Sequence, residues 1–231
     1  MSSDFSIARV LGLTGSILIV VGVAASIFMG VVQLFAFIRL FYAQDFQGYF
    51  QTPLDTSLTG LYLLPHLNLI GWALVIVSLY FSSRVYGEGG IFKYAVYSVA
   101  SIVVGVVGAI IIVLLAIIGV ILSAAPIGLF LLLAAIIVVL AGIVLMGYFM
   151  YRSLSLLSEK SGEPLFRAAG IIMFIAAVTM IILIGSLIEL VGAIVLAIAF
   201  YTLKPPGGGG AHSKEVKIAK EDLEGQREHS L

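Results

Sequence analysis

The chain has 231 residues, of which 61% are hydrophobic and only 10% charged, and it contains no cysteine. Its mean hydropathy is +1.21. Soluble domains carry about 45–50% apolar and about 25% charged residues, so the composition indicates a multi-pass protein of the cell membrane. The lack of cysteine excludes disulfides and thiolate chemistry. Twelve basic and twelve acidic residues cancel, which gives no indication of nucleic-acid binding.

The first apolar stretch predicts a retained membrane span. Asp4 precedes Arg9 in the segment MSSDFSIARVLGL, and no small-residue cleavage site follows a short apolar run. A removable signal peptide is therefore not expected. From Arg9 the sequence stays apolar as far as Tyr42, interrupted only by Gln33 and Arg39.

The rest of residues 1–203 predicts five further spans, and so an all-α transmembrane bundle of about six helices. A span requires about 20 mostly apolar residues. The second is expected at about 60–83 and the third at about 92–123, and the fourth ends near Ser153. The third and fourth are separated by SAAPIG, where Pro126 has no N–H to continue a helix.

The last apolar stretch, residues 165–203, is too long for one span. As a single helix its 39 residues would measure about 58 Å, against about 30 Å of hydrocarbon. The chain must therefore fold back, and the only polar break is GSLIE at 185–189. This break is expected to separate the fifth span from the sixth.

The distribution of basic residues predicts that both termini are cytoplasmic. The two ends of the apolar region and two of its turns carry nearly all of these residues, whereas the other three turns carry only Arg39. By the positive-inside rule the basic turns face the cytoplasm. Residues 204–231 then form a cytoplasmic tail, which the linker KPPGGGG predicts to be flexible. The basic residues at the ends and turns are Arg9, Arg84, Lys93, Arg152, Lys160, Arg167 and Lys204.

Glu189 is the only carboxylate between Pro164 and Lys204, and two interpretations compete for it. In the first, it lies in the outer turn or the first turn of the sixth helix and faces water and the positive helix N-terminus. In the second, it is a buried proton or ion site, because an ionised group inside the membrane is costly and needs a reason. The sequence favours the first, and a buried Glu189 would favour a role in transport.

An internal repeat is suggested by two pairs of segments. ARVLGLTGSIL and FRAAGIIMFIA align Gly12 with Gly170, and the second and sixth spans align Gly71 with Gly192. The first and last hairpins would then be copies, although apolar helices also resemble one another by chance. Aligned residues are further apart along the chain in the first alignment than in the second. The first hairpin is therefore expected to contain an extra segment, an extracytoplasmic helical insertion at about 28–65. Its many aromatic residues are expected to form an interfacial belt rather than a binding surface.

Residues 159–170, EKSGEPLFRAAG, carry a family resemblance that extends diffusely through LNLIGWALVIVSLYFSSRVYGEGG. The chain resembles an uncharacterised, largely archaeal family of prokaryotic membrane proteins, a domain of unknown function numbered 996. The resemblance covers most of residues 8–203 and implies a multi-span helical fold. It implies no activity, because the family has none assigned, and the insertion looks longer than the family pattern.

Few residues could carry chemistry. The candidate polar site residues are Glu189, Gln33 and His66, and a pairing of His66 with Ser16 or Ser26 is conceivable but unsupported. No metal-ligand spacing, phosphate loop or cofactor motif occurs, so no metal, cofactor or catalytic group is expected. Small residues on the spans predict close helix contacts rather than hinges. These expected contact glycines are Gly12, Gly15, Gly71, Gly105, Gly108, Gly170 and Gly192.

Three functions remain open at this point. The first is a non-enzymatic scaffold or accessory subunit that contacts lipid and a membrane-protein partner or a second copy of itself. The second is a small transporter or channel for an apolar or uncharged solute, which a cavity open to both faces would favour. The third is a membrane-embedded enzyme, which a buried polar cluster around His66 would favour.

Overall fold

The computed structural model of the chain describes residues 2–43, 64–121, 125–180 and 184–206. All regular structure in these ranges is helical, and it comprises six α-helices with a short 3-10 turn at Leu64–His66 before the second. Five of the six are long and apolar enough to cross a membrane, and the fifth helix is a shorter apolar one. The helices are α1 (Ser2–Ala43), α2 (Leu67–Val85), α3 (Gly89–Ile121), α4 (Ala125–Ser161), α5 (Leu165–Thr179) and α6 (Gly185–Thr202).

Successive helices pack against each other, and the bundle closes where α1 meets α6. The dense core lies at one end, around α4 residues Leu154 and Leu157 and the aromatic pair Phe166 and Phe200, all fully buried. The two rings meet edge to face at 5.0 Å between centroids. The basic residues from Arg9 to Lys204 named above flank the helix termini at this end, which we call the basic end.

Polar contacts join the helix termini at the basic end. Ser78 Oγ donates to the carbonyl of Ala8 at 2.6 Å, which links α2 to α1, and Ser153 Oγ donates to the carbonyl of Ile91 at 2.7 Å, which links α4 to α3. The Tyr86 hydroxyl donates to the carbonyl of Lys204. Each bond satisfies a polar group between helices, so this end is fixed by hydrogen bonds as well as by close packing.

Two ionisable groups in the turn after α2 have shifted pKa values. Burial raises the pKa of Tyr86 to about 12. Glu88 pairs with Lys160 at 3.2 Å. The hydrogen bond from Lys160 and a second one from the Gly90 N–H lower the pKa of the Glu88 carboxyl. Both side chains are accessible to solvent, so the pair contributes little to stability.

The helices differ greatly in length. At 1.5 Å per residue, the 42 residues of α1, the 33 of α3 and the 37 of α4 measure about 63, 50 and 56 Å. The 19 residues of α2, the 15 of α5 and the 18 of α6 measure only about 28, 22 and 27 Å. Because all six are aligned at the basic end, α1, α3 and α4 extend well beyond the other three at the opposite end.

The observed helix bounds agree with one prediction and correct two others. α1 runs without interruption from Ser2 to Ala43, in agreement with the apolar stretch that extends to Tyr42 and with a helical start of the predicted insertion; residues 44–63 lie outside the described residues. α2 begins at Leu67 rather than near residue 60, directly after the 3-10 turn that contains Pro65. α4 continues to Ser161 instead of ending near Ser153, because Leu154 and Leu157 are core residues that hold two more helical turns in place.

The reversal before α6 was predicted at GSLIE, and that position is wrong by about one turn. GSLIE is itself helical, and α6 starts at Gly185. A Cβ on Gly185 would lie 2.5 Å from the carbonyl oxygen of Ala176, so only glycine allows α6 to start this close to the end of α5. The chain therefore turns within 180–184, of which 181–183 are outside the described residues.

Candidate functional site

A pocket of about 250 Å³ lies where α2, α4, α5 and α6 meet, on the side of the core away from the basic end. Its polar groups are Asn68 and Trp72 from α2 and Glu189 from α6. The rest of the lining is apolar and includes four of the six methionines of the chain, Met146, Met150, Met173 and Met180. Methionine is flexible and polarizable, so such a wall can adapt to apolar groups of varied shape.

Glu189 is the fifth residue of α6 and is half-buried. The side chains of Trp72 and Asn68 lie beside its carboxyl and are placed to donate hydrogen bonds to it. The indole N–H can only donate, and the Asn68 amide donates through its nitrogen. The favoured prediction placed Glu189 in water at an outer turn or in the first turn of the helix. The structure places it one turn further in, directed at α2.

Glycine and alanine bring the pocket helices close together. A Cβ on Gly147 would lie 2.6 Å from the Ala177 Cβ, which brings α4 against α5. A Cβ on Gly192 would lie 3.0 Å from the Met173 side chain, which brings α6 against α5. These contacts hold three walls of the pocket in place, and α2 supplies the fourth wall with its first two turns.

The pocket does not continue to the basic end. Met150 and Met173 form its floor and also belong to the buried core. Beyond them, Leu154 and Phe200 are fully buried. The cavity is therefore blind on that side.

Of the three predicted polar site residues, the structure places only Glu189 in this pocket. His66 is exposed in the 3-10 turn before α2, two residues from Asn68, and makes an interaction there. Gln33 is exposed on α1, eleven residues beyond Gly22, whose position adjoins the backbone of Asn68. The hydroxyls of Ser16 and Ser26 donate to their own helix, to the carbonyls of Gly12 at 2.7 Å and Gly22 at 2.9 Å.

The glycines selected from the sequence all lie against a neighbouring helix. Gly15 and Gly71 face each other, and a Cβ on Gly71 would lie 2.6 Å from the Gly15 carbonyl oxygen. A Cβ on Gly12 would overlap the ring of Phe200 at 2.3 Å from its nearest atom. The remaining selected glycines show similar contacts: Gly105 against Gly142, Gly108 against Val138, Gly170 against Tyr151 and Gly192 against Met173.

Sequence reasoning missed Asn68, Trp72 and the methionines. Asn68 and Trp72 are polar or amphipathic residues at positions i and i+4 of the second span, and so share a helix face. That spacing could have indicated a partner for the isolated carboxylate of the sixth span. The methionines come from two different helices and have no sequence signature.

The chemistry of the site is that of binding. One carboxyl, one amide and one indole face an apolar chamber. Among the described residues, no group of three His, Asp or Glu side chains could hold a metal ion. A carboxyl group can accept about four hydrogen bonds when ionised, and Trp72 and Asn68 can supply at most one each from the side of α2 through the indole N–H and the amide nitrogen. Glu189 therefore retains acceptor capacity for a ligand.

Comparison with known families adds one finding. The family model described as Protein of unknown function (DUF996) matches residues 67–194, more than half of the chain. The chain belongs to this family. The match starts at α2 rather than near residue 8, so it is narrower than the predicted resemblance and leaves α1 outside. All the residues that line the pocket, from Asn68 to Glu189, lie within the matched part. Neither a curated protein nor a solved structure matches the chain.

Proposed function

We propose that this multi-pass membrane protein is a non-enzymatic binding protein that takes a small, largely apolar molecule into the pocket beside Glu189. The observation that carries the proposal is a carboxyl group held by Asn68 and Trp72 in the wall of a methionine-lined cavity. Binding sites of this kind combine an apolar chamber with a few placed polar groups that fix orientation. A chamber of about 250 Å³ suits a small ligand or one end of a longer one.

We also propose that the pocket lies within the thickness of the membrane, with the basic end at the cytoplasmic surface. Tyrosines with bound cations are typical of a membrane interface. Arg9 lies over Tyr201, Arg84 over Tyr80 and Arg152 over Tyr94, at 5.5 to 5.9 Å. Glu189 is twelve residues from Tyr201, hence about 18 Å deeper along α6.

The long helices support the same depth. α4 begins 18 residues before Ile143, and so extends about 27 Å beyond the pocket. Along that length it exposes apolar side chains such as Phe130 and Leu133, as α3 does along its second half. Exposed apolar residues require lipid around them. The hydrocarbon layer would therefore extend beyond the pocket, on the side away from the basic end. A ligand would then enter sideways from the bilayer.

The blind floor of the pocket favours binding over conduction. A channel or carrier would need a path through Leu154, Phe200 and the rest of the core, which is closed. The transport hypothesis therefore requires a second conformation. The scaffold hypothesis fits alongside binding, because the outer part of the α3–α4 hairpin exposes apolar residues around a groove lined by Ala109, Leu132 and Val139.

Trp72 provides a direct test, since it is the only tryptophan of the chain and lines the pocket. The full chain in lipid nanodiscs is titrated with a brominated long-chain alcohol, because bromine quenches tryptophan at short range. We expect saturable quenching that the unbrominated alcohol reverses. Linear quenching without competition would mean that the alcohol only dissolves in the bilayer, and the proposal would be wrong.

A matched control moves the reporter into lipid. The variant Trp72→Phe/Leu133→Trp places the tryptophan on α4, where the Leu133 side chain is 58% exposed. Its quenching should rise in proportion to the bromide in the bilayer and should not respond to the competitor. Saturation at this position too would contradict the assignment of the ligand to the pocket.

A further inference from the structure

We propose that the ligand of this pocket is an amphiphile with a positively charged, hydrogen-bond-donating head, for which a long-chain primary amine is the simplest probe. The inference rests on the proposed function and adds the chemical class of the ligand. Glu189 accepts hydrogen bonds from the head, and the methionine wall holds the chain. Four features of the site support it.

The first feature is the side from which the protein offers donors to the carboxyl. Trp72 and Asn68 both lie beside Glu189 on α2, so the protein places its donors on one side of the carboxyl. The oxygens can still accept bonds on the side of the cavity. A ligand head that can only accept hydrogen bonds, such as a sulfate or a carboxylate, would have no hydrogen to donate to these oxygens.

The second feature is the lack of a counter-charge. None of the described residues that line the pocket is basic. Lys204 lies just beyond the end of α6, and the thirteen residues from Glu189 to Thr202 already span about 20 Å along the helix. Arg152 is only two residues from Met150, but it is exposed and lies over the ring of Tyr94. A carboxylate in an apolar setting is stable only when paired, so the ligand head is the available cation.

The third feature is a second acceptor without a donor. The side-chain oxygen of Asn68 is buried and has no hydrogen-bond partner among the described residues. An unpaired buried acceptor costs free energy, and small rotations of the amide would let it receive a proton from a bound head. Asn68 and Glu189 can then share one ammonium group.

The fourth feature is the relation between these two residues. In the register that aligns Gly71 with Gly192, Asn68 is the counterpart of Glu189. The buried positions of the two helices follow the same register: Val75 with Leu196 and Leu79 with Phe200, all fully buried. Two counterpart positions of this alignment thus lie beside each other, one occupied by an amide and the other by a carboxyl. A carboxylate at position 68 or at position 189 would therefore face the same cavity.

The test compares three competitors with the same alkyl chain and an amine, an alcohol or a sulfate head. Each displaces the brominated alcohol from Trp72 in nanodiscs of zwitterionic lipid, and the Leu133→Trp control corrects for partitioning into the bilayer. We expect the amine to compete about tenfold better than the alcohol, the gain that one charge-assisted hydrogen bond gives. The sulfate should compete least. Equal competition by amine and alcohol would overturn the inference and leave the proposed function standing.

Two variants separate recognition from folding. In Glu189→Gln the amine should lose its advantage over the alcohol, so that the ratio of their competition falls to about one. The exchange Asn68→Glu/Glu189→Asn should recover that preference, since the carboxyl returns to the same cavity from the other helix. An amine preference that persists in Glu189→Gln would contradict the inference. If the brominated alcohol shows no saturable binding to the wild-type chain, the proposed function itself fails.

Discussion

The two ends of the bundle are built on different principles. At the basic end, six helix termini meet around a core of fully buried side chains, and serine, tyrosine and arginine side chains donate to backbone carbonyls of other segments. At the opposite end, α3 and α4 continue as a hairpin that exposes large apolar residues such as Val104, Ile121 and Phe130. Lipid therefore has to replace protein as the packing partner there.

The pocket lies at the boundary between the packed core and the outer part of the bundle, where the long helices expose apolar residues. Its floor is made by Met150 and Met173, which belong to the core, and its polar rim by Asn68 and Glu189 near the ends of the short helices. A ligand site at such a boundary can be altered without removing the core that supports it. Substitutions at the two ends should accordingly have separable effects on stability and on binding.

The largest effect on stability is expected where two helix backbones touch at the core side. In Gly71→Val, the new Cβ would lie 2.6 Å from the Gly15 carbonyl oxygen and 2.7 Å from the Ile19 side chain, so α1 and α2 must separate. We expect a loss of about 3 kcal/mol in the free energy of unfolding, as for severe overpacking. Thermal unfolding in detergent, monitored by gel filtration, measures this loss as a lower unfolding temperature.

Gly30→Val is the matched control on α1. A Cβ on Gly30 would meet no atom within 4 Å, and this residue lies on the exposed outer part of the helix. The variant should unfold at the wild-type temperature. Similar losses in both variants would mean that the loss does not arise from the contact between α1 and α2 and that this contact contributes little, since helix propensity alone favours valine over glycine.

The all-helical, membrane-embedded fold could be predicted because apolar length and charge spacing act within each segment. The helix ends could not, since they depend on contacts between helices. Leu154 and Leu157 extend α4 by two turns because they enter the core, and Gly185 starts α6 early because it touches Ala176. The polar residues of GSLIE therefore gave a misleading indication of the turn.

The candidate site was only partly predictable for the same reason. Glu189 could be identified, because a single carboxylate in an apolar stretch is conspicuous by composition alone. Its partners Asn68 and Trp72 are more than a hundred residues away in sequence, and only the fold brings them to it. The direction of the Glu189 side chain, outward to water or inward to α2, depends on the rotation of α6, which is set by Gly192 and the core.

A moderate effect is expected from the hydrogen bond between α2 and α1. Ser78 is fully buried and donates to the Ala8 carbonyl at 2.6 Å. In Ser78→Ala the carbonyl loses this donor, and we expect a loss of about 1 kcal/mol, within the range for hydrogen bonds between membrane helices. Ser101→Ala is the control, since Ser101 bonds only within its own helix, to Tyr97 at 2.7 Å. Equal stability of the two variants would contradict a role for Ser78 in joining the helices.

The smallest effect tests how firmly the basic end closes around the last helix. The Tyr86 hydroxyl donates to the carbonyl of Lys204, so Tyr86→Phe should lose about 0.5–1 kcal/mol near neutral pH. Burial raises the pKa of Tyr86 to about 12, above its ordinary value of 10.0. The neutral phenol is favoured in the folded state. Its contribution to the free energy of unfolding is therefore complete below about pH 10 and is lost as the pH rises toward about 12. The phenolate absorbance of the wild type minus that of Tyr86→Phe isolates this one group among ten tyrosines. A midpoint near that of free tyrosine would mean that the phenol is in water, and that the basic end is as open as the hairpin opposite it.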